Sequence, residues 1–356
     1  MSFPIDQARP VRDGEQLDAG KLGDYLTAHL PGAKEPLAVE QFPHGHSNLT
    51  YLITLGPDEW VLRRPPFGNR VKTAHDMGRE YRILSRLCAV YPPAPRPVLY
   101  CEDESILGAP FYLMERRRGV ILRGTHSGGT ALEPDLARRL CETLVDRMAE
   151  LHALDYRAAG LEDVGKPQGY VERQVTGWIK RYQDARTDDV PDIERTAAWL
   201  AANVPADSPG ASLIHNDFKF DNLVLDPANL THIVALLDWE MATIGDPLMD
   251  LGTTLAYWTE AADPEPLHFH IVGPTKEPGR LSRQELVERY ARQTGRDVSN
   301  MLFCYVCGLF KVAVIGQQIY ARYVRGMTKD SRFAGFNKLV AALGLGAVRA
   351  IDTRRI

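Results

Sequence analysis

Short apolar runs separated by turn residues dominate the first third of the chain, and a helical pattern lies on each side of the first three runs. Residues 17–30 and 75–89 have apolar side chains at helical spacing, whereas the short runs are bounded by Gly, Pro, Asn and Asp, which is typical of strands. The runs that we predict as strands cover residues 37–42, 49–55, 60–63, 98–101 and 111–114. This part is therefore predicted to form an antiparallel sheet accompanied by helices.

The remainder of the chain has mainly helical periodicity. The predicted helices cover residues 133–154, 170–185, 192–202, 282–294, 303–325 and 336–351. Short apolar runs interrupt them at 213–214, 223–225 and 233–237, and each reads as a buried strand. We expect an α+β fold with a small N-terminal lobe, residues 1–115, and a larger, mostly helical C-terminal lobe, residues 116–356.

Composition narrows the class of protein. The chain has 356 residues, 44% hydrophobic and 25% charged, with a formal net charge of −4, which argues against a nucleic-acid partner. Its five scattered cysteines and its N-terminus without an apolar leader favour a cytoplasmic protein. The apolar stretch 301–319 contains Lys311 and Gln317, so a buried helix explains it better than a membrane span. No feature predicts an oligomeric state.

The polar residues with the clearest chemical pattern lie between 213 and 252. Asp217 and Asn222 follow the apolar pair Leu213-Ile214 in the spacing His-x-Asp-x4-Asn, and Asp238 ends the strand predicted at 233–237. Phosphoryl transfer requires a carboxylate that takes the proton of the acceptor hydroxyl, and oxygen ligands that hold Mg²⁺. The pattern therefore predicts Asp217 as the catalytic base, with Asn222 and Asp238 as metal ligands.

The same stretch, which continues into Asp-Trp-Glu and Gly-Asp-Pro-x-x-Asp, resembles the aminoglycoside phosphotransferase and choline kinase-like family of small-molecule kinases. It is most similar to the branch found fused to acyl-CoA dehydrogenases. The resemblance implies the two-lobed protein-kinase fold and a cleft at the hinge for ATP and Mg²⁺. It also implies that Asp250 supports the catalytic loop from below, while Asp246 is expected to cap a helix. The role of Glu240 stays open between metal binding and solvent exposure.

The resemblance assigns nucleotide-binding residues in the first lobe. Arg63 stands where kinases usually carry a lysine and is expected to bind phosphates, with Glu80 as its helix partner. The segment 44–48 lacks a GxGxxG pattern, but Ser47 and Asn48 are expected to hydrogen-bond phosphate oxygens. Glu115 and Arg117 at the hinge are expected to contact adenine. Arg64, next to Arg63, is expected to face solvent.

The expected reaction is transfer of the γ-phosphoryl group of ATP to a hydroxyl of a small molecule. Tyr257 and Arg322 are the residues predicted to bind the acceptor, and they favour an anionic or partly apolar compound over a polycation. Phe310, Val314 and Arg322 share a helix face that would suit an acyl chain with a charged end. The branch resemblance suggests a hydroxyacyl-CoA-like acceptor. The alternatives are an antibiotic kinase, such as an aminoglycoside kinase, and a nucleotide-binding pseudokinase. A protein kinase is disfavoured because no Ala-Pro-Glu motif follows Asp238.

Overall fold

The structure is a computed structural model, and it describes residues 3–31, 36–43, 48–67, 76–124, 132–206, 210–269, 273–328 and 330–356. The chain forms two compact units. The first comprises residues 1–121, 159–161 and 223–240, and the second comprises residues 122–158, 162–222 and 241–356. The segment 223–240 thus groups with the N-terminal residues.

An antiparallel sheet with the strand order β1-β2-β3-β5-β4 forms the centre of the first unit. Its strands are β1 (Leu37–Gln41), β2 (Leu49–Leu55), β3 (Asp58–Arg64), β4 (Pro97–Cys101) and β5 (Phe111–Glu115). The turn at Gly56, whose φ is +61°, joins β2 to β3 and pairs Thr50 with Arg63. The predicted antiparallel sheet is confirmed, and β3 carries Arg63 near its end.

Helices α1 (Ala19–His29), α2 (Met77–Leu87) and the short α3 (Glu104–Leu107) accompany this sheet. Leu22 and Leu26 of α1 are fully buried in a core formed with Tyr51, Ile53 and other sheet residues. The side chain of Asp76 accepts a hydrogen bond from the backbone N–H of Arg79, and so caps α2. Because α2 begins there, Glu80 falls in its first turn and is 1% exposed.

Arg64 corrects one expectation from the sequence. Its side chain is buried rather than solvated, with 2% exposure, and its guanidinium lies 3.7 Å from the ring centroid of Phe67. Strand alternation places Arg63 and Arg64 on opposite faces. The face of Arg64 is nevertheless covered, because the aromatic ring that follows the strand stacks on the guanidinium.

The β-hairpin β7 (Leu223–Asp226) and β8 (Asn229–Leu236) also belongs to the first unit. The backbone of Leu225 exchanges two hydrogen bonds with that of Val120, each 2.8 Å long. After β8 the chain reaches Asp238, whose backbone has a φ of +69°. This left-handed conformation is uncommon for a residue with a side chain, and it turns the strand end sharply.

The second unit is mostly helical, as predicted. Its described helices are α4 (Pro134–Ala153), α5 (Tyr170–Ala185), α6 (Pro191–Ala202), α7 (Pro247–Ala256), α8 (Arg283–Thr294), α9 (Met301–Val324) and α10 (Phe336–Thr353). Strand β6 (Ser212–Ile214) pairs antiparallel with β9 (Thr243–Gly245), a short strand that the sequence pattern did not predict. The Asp246 side chain caps α7 through the backbone N–H of Leu248, and Pro247 follows at the first helical position, as expected.

Helices α7 and α9 approach each other through glycines. A β-carbon at Gly308 would lie 2.2 Å from the carbonyl oxygen of Gly252, and one at Gly252 would lie 2.2 Å from that of Cys304. Only glycine permits this separation. The same close contact brings Asp250 of α7 and Lys311 of α9 near the helix interface, because each lies within one helical turn of the glycine on its own helix.

Among the described residues, two segments, Met301–Val324 and Ser331–Thr353, have the length and apolar composition of membrane-spanning helices. In the first, 72% of the most apolar 18-residue window is buried within the protein, and in the second the share is 44%. Length and composition alone do not separate a membrane span from the core helix of a soluble protein. Cys304 and Cys307 lie in the first of these helices as free, buried thiols.

Candidate active site

Asp217 lies in the loop between β6 and β7, and its carboxylate is surrounded by hydrogen-bond donors. Oδ1 accepts from the Tyr257 hydroxyl at 2.8 Å and from Lys219 Nζ at 3.0 Å. Oδ2 lies 2.9 Å from Lys219 Nζ and 2.9 Å from Asn222 Nδ2. The side chain is 15% exposed, so the carboxylate is held in one orientation while it still reaches the surface of the second unit.

The electrostatics of this loop keep Asp217 ionised. Burial alone would raise the pKa of the Asp217 carboxyl, but the Lys219 ammonium, His215 and the Tyr257 hydroxyl outweigh burial and lower it to about 2. Burial raises the pKa of the Tyr257 hydroxyl, and the Asp217 charge raises it further, so this hydroxyl stays protonated. Asp217 is therefore ionised at neutral pH.

Asp250 supports the loop from α7, as the sequence resemblance implied. Its two carboxylate oxygens accept from the backbone N–H groups of His215 and Asn216, each at 2.7 Å. Oδ2 also lies 3.1 Å from Nε2 of His152, whose Nδ1 lies 2.8 Å from the Tyr290 hydroxyl. His152 is 3% exposed and belongs to the core of the second unit.

Arg63 is the centre of a charge cluster in the first unit. Its Nη2 donates to Oδ1 of Asp238 at 2.7 Å, and its Nε lies 3.4 Å from Oε2 of Glu80. Oε1 of Glu80 accepts from the backbone N–H of Trp239 at 3.1 Å, which joins α2 to the turn after β8. Burial opposes the charge of Arg63, but the carboxylates of Glu80 and Asp238 raise its pKa well above the ordinary value.

Glu240 takes part in this cluster. One of its carboxylate oxygens lies 3.8 Å from Arg63 Nη2 and accepts from Asn48 Nδ2 at 2.5 Å. Three carboxylates thus surround one guanidinium, and the cluster carries an excess of negative charge. Added positive charge would stabilise it. Glu240 is 17% exposed and is not a freely solvated residue.

The other predicted nucleotide-binding residues are placed as follows. Glu115 ends β5 and forms an ion pair of 2.7 Å with Arg117, and it also accepts from the backbone N–H of Arg96 at 2.7 Å. Asn48 begins the turn into β2 and is 5% exposed. Ser47 lies outside the described residues. The adenine and phosphate contacts of these residues stay predictions, because their geometry in the first unit does not test them.

The two predicted acceptor residues lie at the ends of two different helices. Tyr257, at the end of α7, contacts Asp217 directly, whereas Arg322 lies in the last turn of α9. The helix face proposed for an acyl chain needs a correction. Phe310 and Val314 are both 0% exposed, so the apolar part of that face belongs to the core. The pattern of a buried amphipathic helix and that of an open apolar surface are the same in sequence.

Lys219 is the functional candidate that the sequence interpretation missed. Its ammonium pairs with Asp217 and lies 4.7 Å from the ring centroid of Tyr257. The sequence did offer one indication of its role: Lys219 lies two residues after the predicted base, in a loop whose next polar residues are Asp221 and Asn222. A cation beside the base is suited to an anionic substrate group.

The oxygen atoms near Asp217 include one possible ligand for a metal ion. Within the described part of the chain, no group of three or more His, Cys, Asp or Glu side chains forms a metal site. Asn222 donates its amide N–H to the carbonyl and to Oδ2 of Asp217, both at 2.9 Å. Its own amide oxygen is therefore directed away from that carboxylate, and such an oxygen is a ligand that Mg²⁺ accepts.

Comparison with known proteins places this geometry in a family. The model of a family described as "Phosphotransferase enzyme family" matches residues 38–286. The chain is 34% identical over 346 residues to acyl-CoA dehydrogenase family member 11 of Gallus gallus. The aligned region covers 94% of this chain and 43% of that protein. The human protein of the same name is also 34% identical and is covered to 43%. The chain thus spans less than half the length of these relatives.

Solved structures confirm the fold. One provisionally described as an aminoglycoside phosphotransferase, from Ralstonia eutropha, is 29% identical, with a TM-score of 0.77 and coverage of 95% of this chain and 99% of that chain. Choline kinase from Cryptosporidium parvum has a TM-score of 0.61 at 13% identity, covering 95% and 97% of the two chains. The latter likeness shows the fold alone, and it agrees with the expected kinase-like α+β class.

Proposed function

Because the chain belongs to the phosphotransferase enzyme family, we propose that it transfers the γ-phosphoryl group of ATP to a hydroxyl group of a small molecule. The observation that carries this proposal is the ionised, 15% exposed Asp217 carboxylate held by Lys219, Tyr257 and Asn222. A carboxylate fixed in this way takes a proton without first having to reorient.

The reaction divides into bonds made and broken. The acceptor oxygen forms a bond to the γ-phosphorus, the bond from that phosphorus to the β,γ-bridging oxygen breaks, and ADP leaves. The proton of the acceptor hydroxyl passes to the Asp217 carboxylate. Since both oxygens of Asp217 already accept hydrogen bonds, the acceptor hydroxyl takes the place of one donor, for which Tyr257 is suited because it carries no charge.

ATP requires cations at its phosphates, and the described residues fit this need. Arg63 supplies a permanent positive charge, and the excess of carboxylates around it would be neutralised by Mg²⁺. Asp238 and Asn222 remain the Mg²⁺ ligands proposed from the sequence, and the ion when bound would neutralise charge on the phosphates. Ser47, Asn48, Glu115 and Arg117 remain the proposed contacts of the nucleotide.

For the acceptor we propose a hydroxyacyl-CoA-like compound. Lys219 beside Asp217 favours an anionic acceptor over a polycation. Lys311 contacts Asn216, the neighbour of Asp217, and Arg322 lies eleven residues further along α9, roughly 16 Å away along the helix. A single ligand that reaches from Asp217 to Arg322 is therefore elongated. The names of the relatives, acyl-CoA dehydrogenase family members, support an acyl-CoA compound as such a ligand.

The test is ATP consumption by the purified protein with a panel of acceptors. The panel contains hydroxyacyl-CoAs, the same acyl-CoAs without the hydroxyl group, free hydroxylated metabolites and kanamycin. We expect consumption with hydroxyacyl-CoAs and none with the matched compounds that lack the hydroxyl. Phosphorylation of kanamycin that is unaffected by Arg322→Ala would replace the proposed acceptor by an aminoglycoside. ATP binding without consumption on any acceptor would indicate a pseudokinase.

A further inference from the structure

Lys311 is a buried lysine in the middle of α9, and the reaction described above assigns it no role. It is 5% exposed. Its ammonium donates to the carbonyl oxygen of Asn216 at 2.7 Å and to the side-chain oxygen of Asn216 at 3.1 Å. None of the ion pairs between described residues includes it. Burial of an ammonium without a carboxylate partner is unfavourable, so an apolar side chain would be expected here on packing grounds alone.

The residue that Lys311 contacts has an unusual backbone. Asn216 has a φ of +67°, a left-handed conformation that is uncommon outside glycine. Its N–H donates to Asp250 at 2.7 Å, its side-chain amide donates to the carbonyl of Met241 at 3.1 Å, and the Tyr170 hydroxyl lies 3.3 Å from its side-chain oxygen. Lys311 holds the remaining group, the carbonyl. A conformation of this kind persists when its surroundings fix it from several sides.

The space around Lys311 gives its side chain no alternative position. The cavity beside it has a volume of about 10 Å³ and is lined by Tyr170, Trp178, Cys307 and Lys311, among others. Such a cavity has room for about one water molecule. Gly308 brings this part of α9 against α7, so the ammonium is confined to the position beneath Asn216.

We propose that Lys311 is a positioning residue for Asp217. By binding both oxygens of Asn216 it fixes the left-handed backbone there, and this backbone sets the direction in which the next residue presents its carboxylate. The inference rests on the proposed function, in which Asp217 takes the proton of the acceptor. Lys311 acts through Asn216, since its described hydrogen bonds go to that residue.

The geometry has a consequence for pH dependence. Burial lowers the pKa of Lys311 to about 8, although the carboxylates of Asp250 and Asp217 and the Cys307 thiol oppose this and Lys219 adds to it. The Lys219 and Tyr257 pKa values are raised, and that of Cys307 is raised to about 12. Tyr170 also has a raised pKa. Among these neighbours, Lys311 is the group whose charge changes near pH 8. Loss of the charge weakens its hydrogen bonds to Asn216, so turnover should fall as pH rises through this value.

The test compares Lys311→Met with Lys180→Met, a substitution of an exposed lysine on α5 as a matched control. For Lys311→Met we expect kcat to fall about 10- to 100-fold while the KM for ATP stays unchanged, because a misdirected base slows the chemical step. The alkaline fall of kcat near pH 8 should be absent in this variant. Lys311→Arg, which keeps its charge throughout, should retain more activity than Lys311→Met and should also lack that fall.

A second measurement does not need an active enzyme. Backbone hydrogen exchange of residues 215–217 should become faster in Lys311→Met, while residues 223–236 should exchange as in the wild type. If the wild type consumes no ATP, the proposed function fails, and the exchange experiment still decides the role of Lys311. If Lys311→Met does not fold, the role of Lys311 is decided by the pH profiles of kcat for the wild type and Lys311→Arg. An alkaline fall in the wild type that is absent from Lys311→Arg supports the inference. The inference would be overturned if Lys311→Met had the same kcat, the same alkaline fall of kcat and the same exchange rate at residues 215–217 as the control Lys180→Met.

Discussion

Asp250 accepts, through Oδ1, a 2.7 Å hydrogen bond from the backbone N–H of Asn216. Its other oxygen accepts from the backbone N–H of His215, so a carboxylate on α7 fixes two successive peptide groups of the loop that carries Asp217. We predict that Asp250→Asn lowers the free energy of unfolding by roughly 2–4 kcal/mol near pH 7, because an amide cannot accept both N–H groups. Urea unfolding measures this loss. Asp24→Asn, an exposed substitution on α1, is the control.

The pH dependence of stability provides a second measurement on Asp250. Burial alone would raise its pKa, but His152 and the backbone N–H of His215 lower it below the ordinary value of 3.8. The unfolded state then binds more protons than the folded state between the two pKa values. The stabilisation is present above pH 3.8 and is lost as pH falls through the lower folded pKa. Asp250→Asn should show a shallower loss of stability in acid, and an acid profile equal to that of the wild type would contradict the assignment.

Asp238 should govern the binding of the metal-nucleotide complex. Replacement by Ala removes a proposed Mg²⁺ ligand and the partner of Arg63, so we expect the affinity for MgATP to fall by about tenfold or more. ATP without Mg²⁺ should bind Asp238→Ala no more weakly than the wild type, because the substitution removes one of the three negative charges around Arg63 and so leaves less charge to repel phosphate. Calorimetric titration with MgATP and with ATP alone measures both affinities. Asp58→Ala, exposed on β3, should bind MgATP as the wild type does, and equal affinity in Asp238→Ala would exclude it as the ligand.

The close contact between α7 and α9 allows us to predict how Gly308→Ala changes the stability of the protein. A β-carbon there would lie 2.2 Å from a carbonyl oxygen of α7, so Gly308→Ala must separate the two helices. We expect a loss of about 2 kcal/mol or more in the free energy of unfolding. Gly20→Ala on α1, whose β-carbon would meet its nearest atom at 3.5 Å, should instead be neutral or slightly stabilising. Thermal denaturation of the two variants compares them, and equal melting temperatures would show that the helices accommodate the methyl group.

Local patterns in the sequence anticipated most of the fold. The cap at Asp246, the strands around Gly56 and the helix face that carries Glu80 each depend on residues close together in the chain. The predictions for Asp217, Asn222 and Asp238 depend on local patterns in the same way, because one loop and one strand end carry these residues.

Contacts between distant segments were not anticipated. Lys311 meets Asn216 across 95 residues, and the glycines that bring α9 to α7 have no local signature. The burial of Arg64 depends on Phe67, and that of Phe310 and Val314 on neighbouring helices. Periodicity identifies an apolar face, but only the packed structure shows what covers it.

The central claim is that Asp217 takes the proton of a hydroxyl acceptor during phosphoryl transfer from ATP. It is tested most directly by the rate at which labelled phosphate from the γ-position of ATP appears on the best acceptor of the panel. Asp217→Asn is compared with the wild type and with Asp226→Asn, at the end of β7. The account predicts that Asp217→Asn binds ATP as the wild type does but forms product about 10²–10⁴-fold more slowly, while Asp226→Asn keeps its rate. An Asp217→Asn variant with more than half the wild-type rate would contradict it.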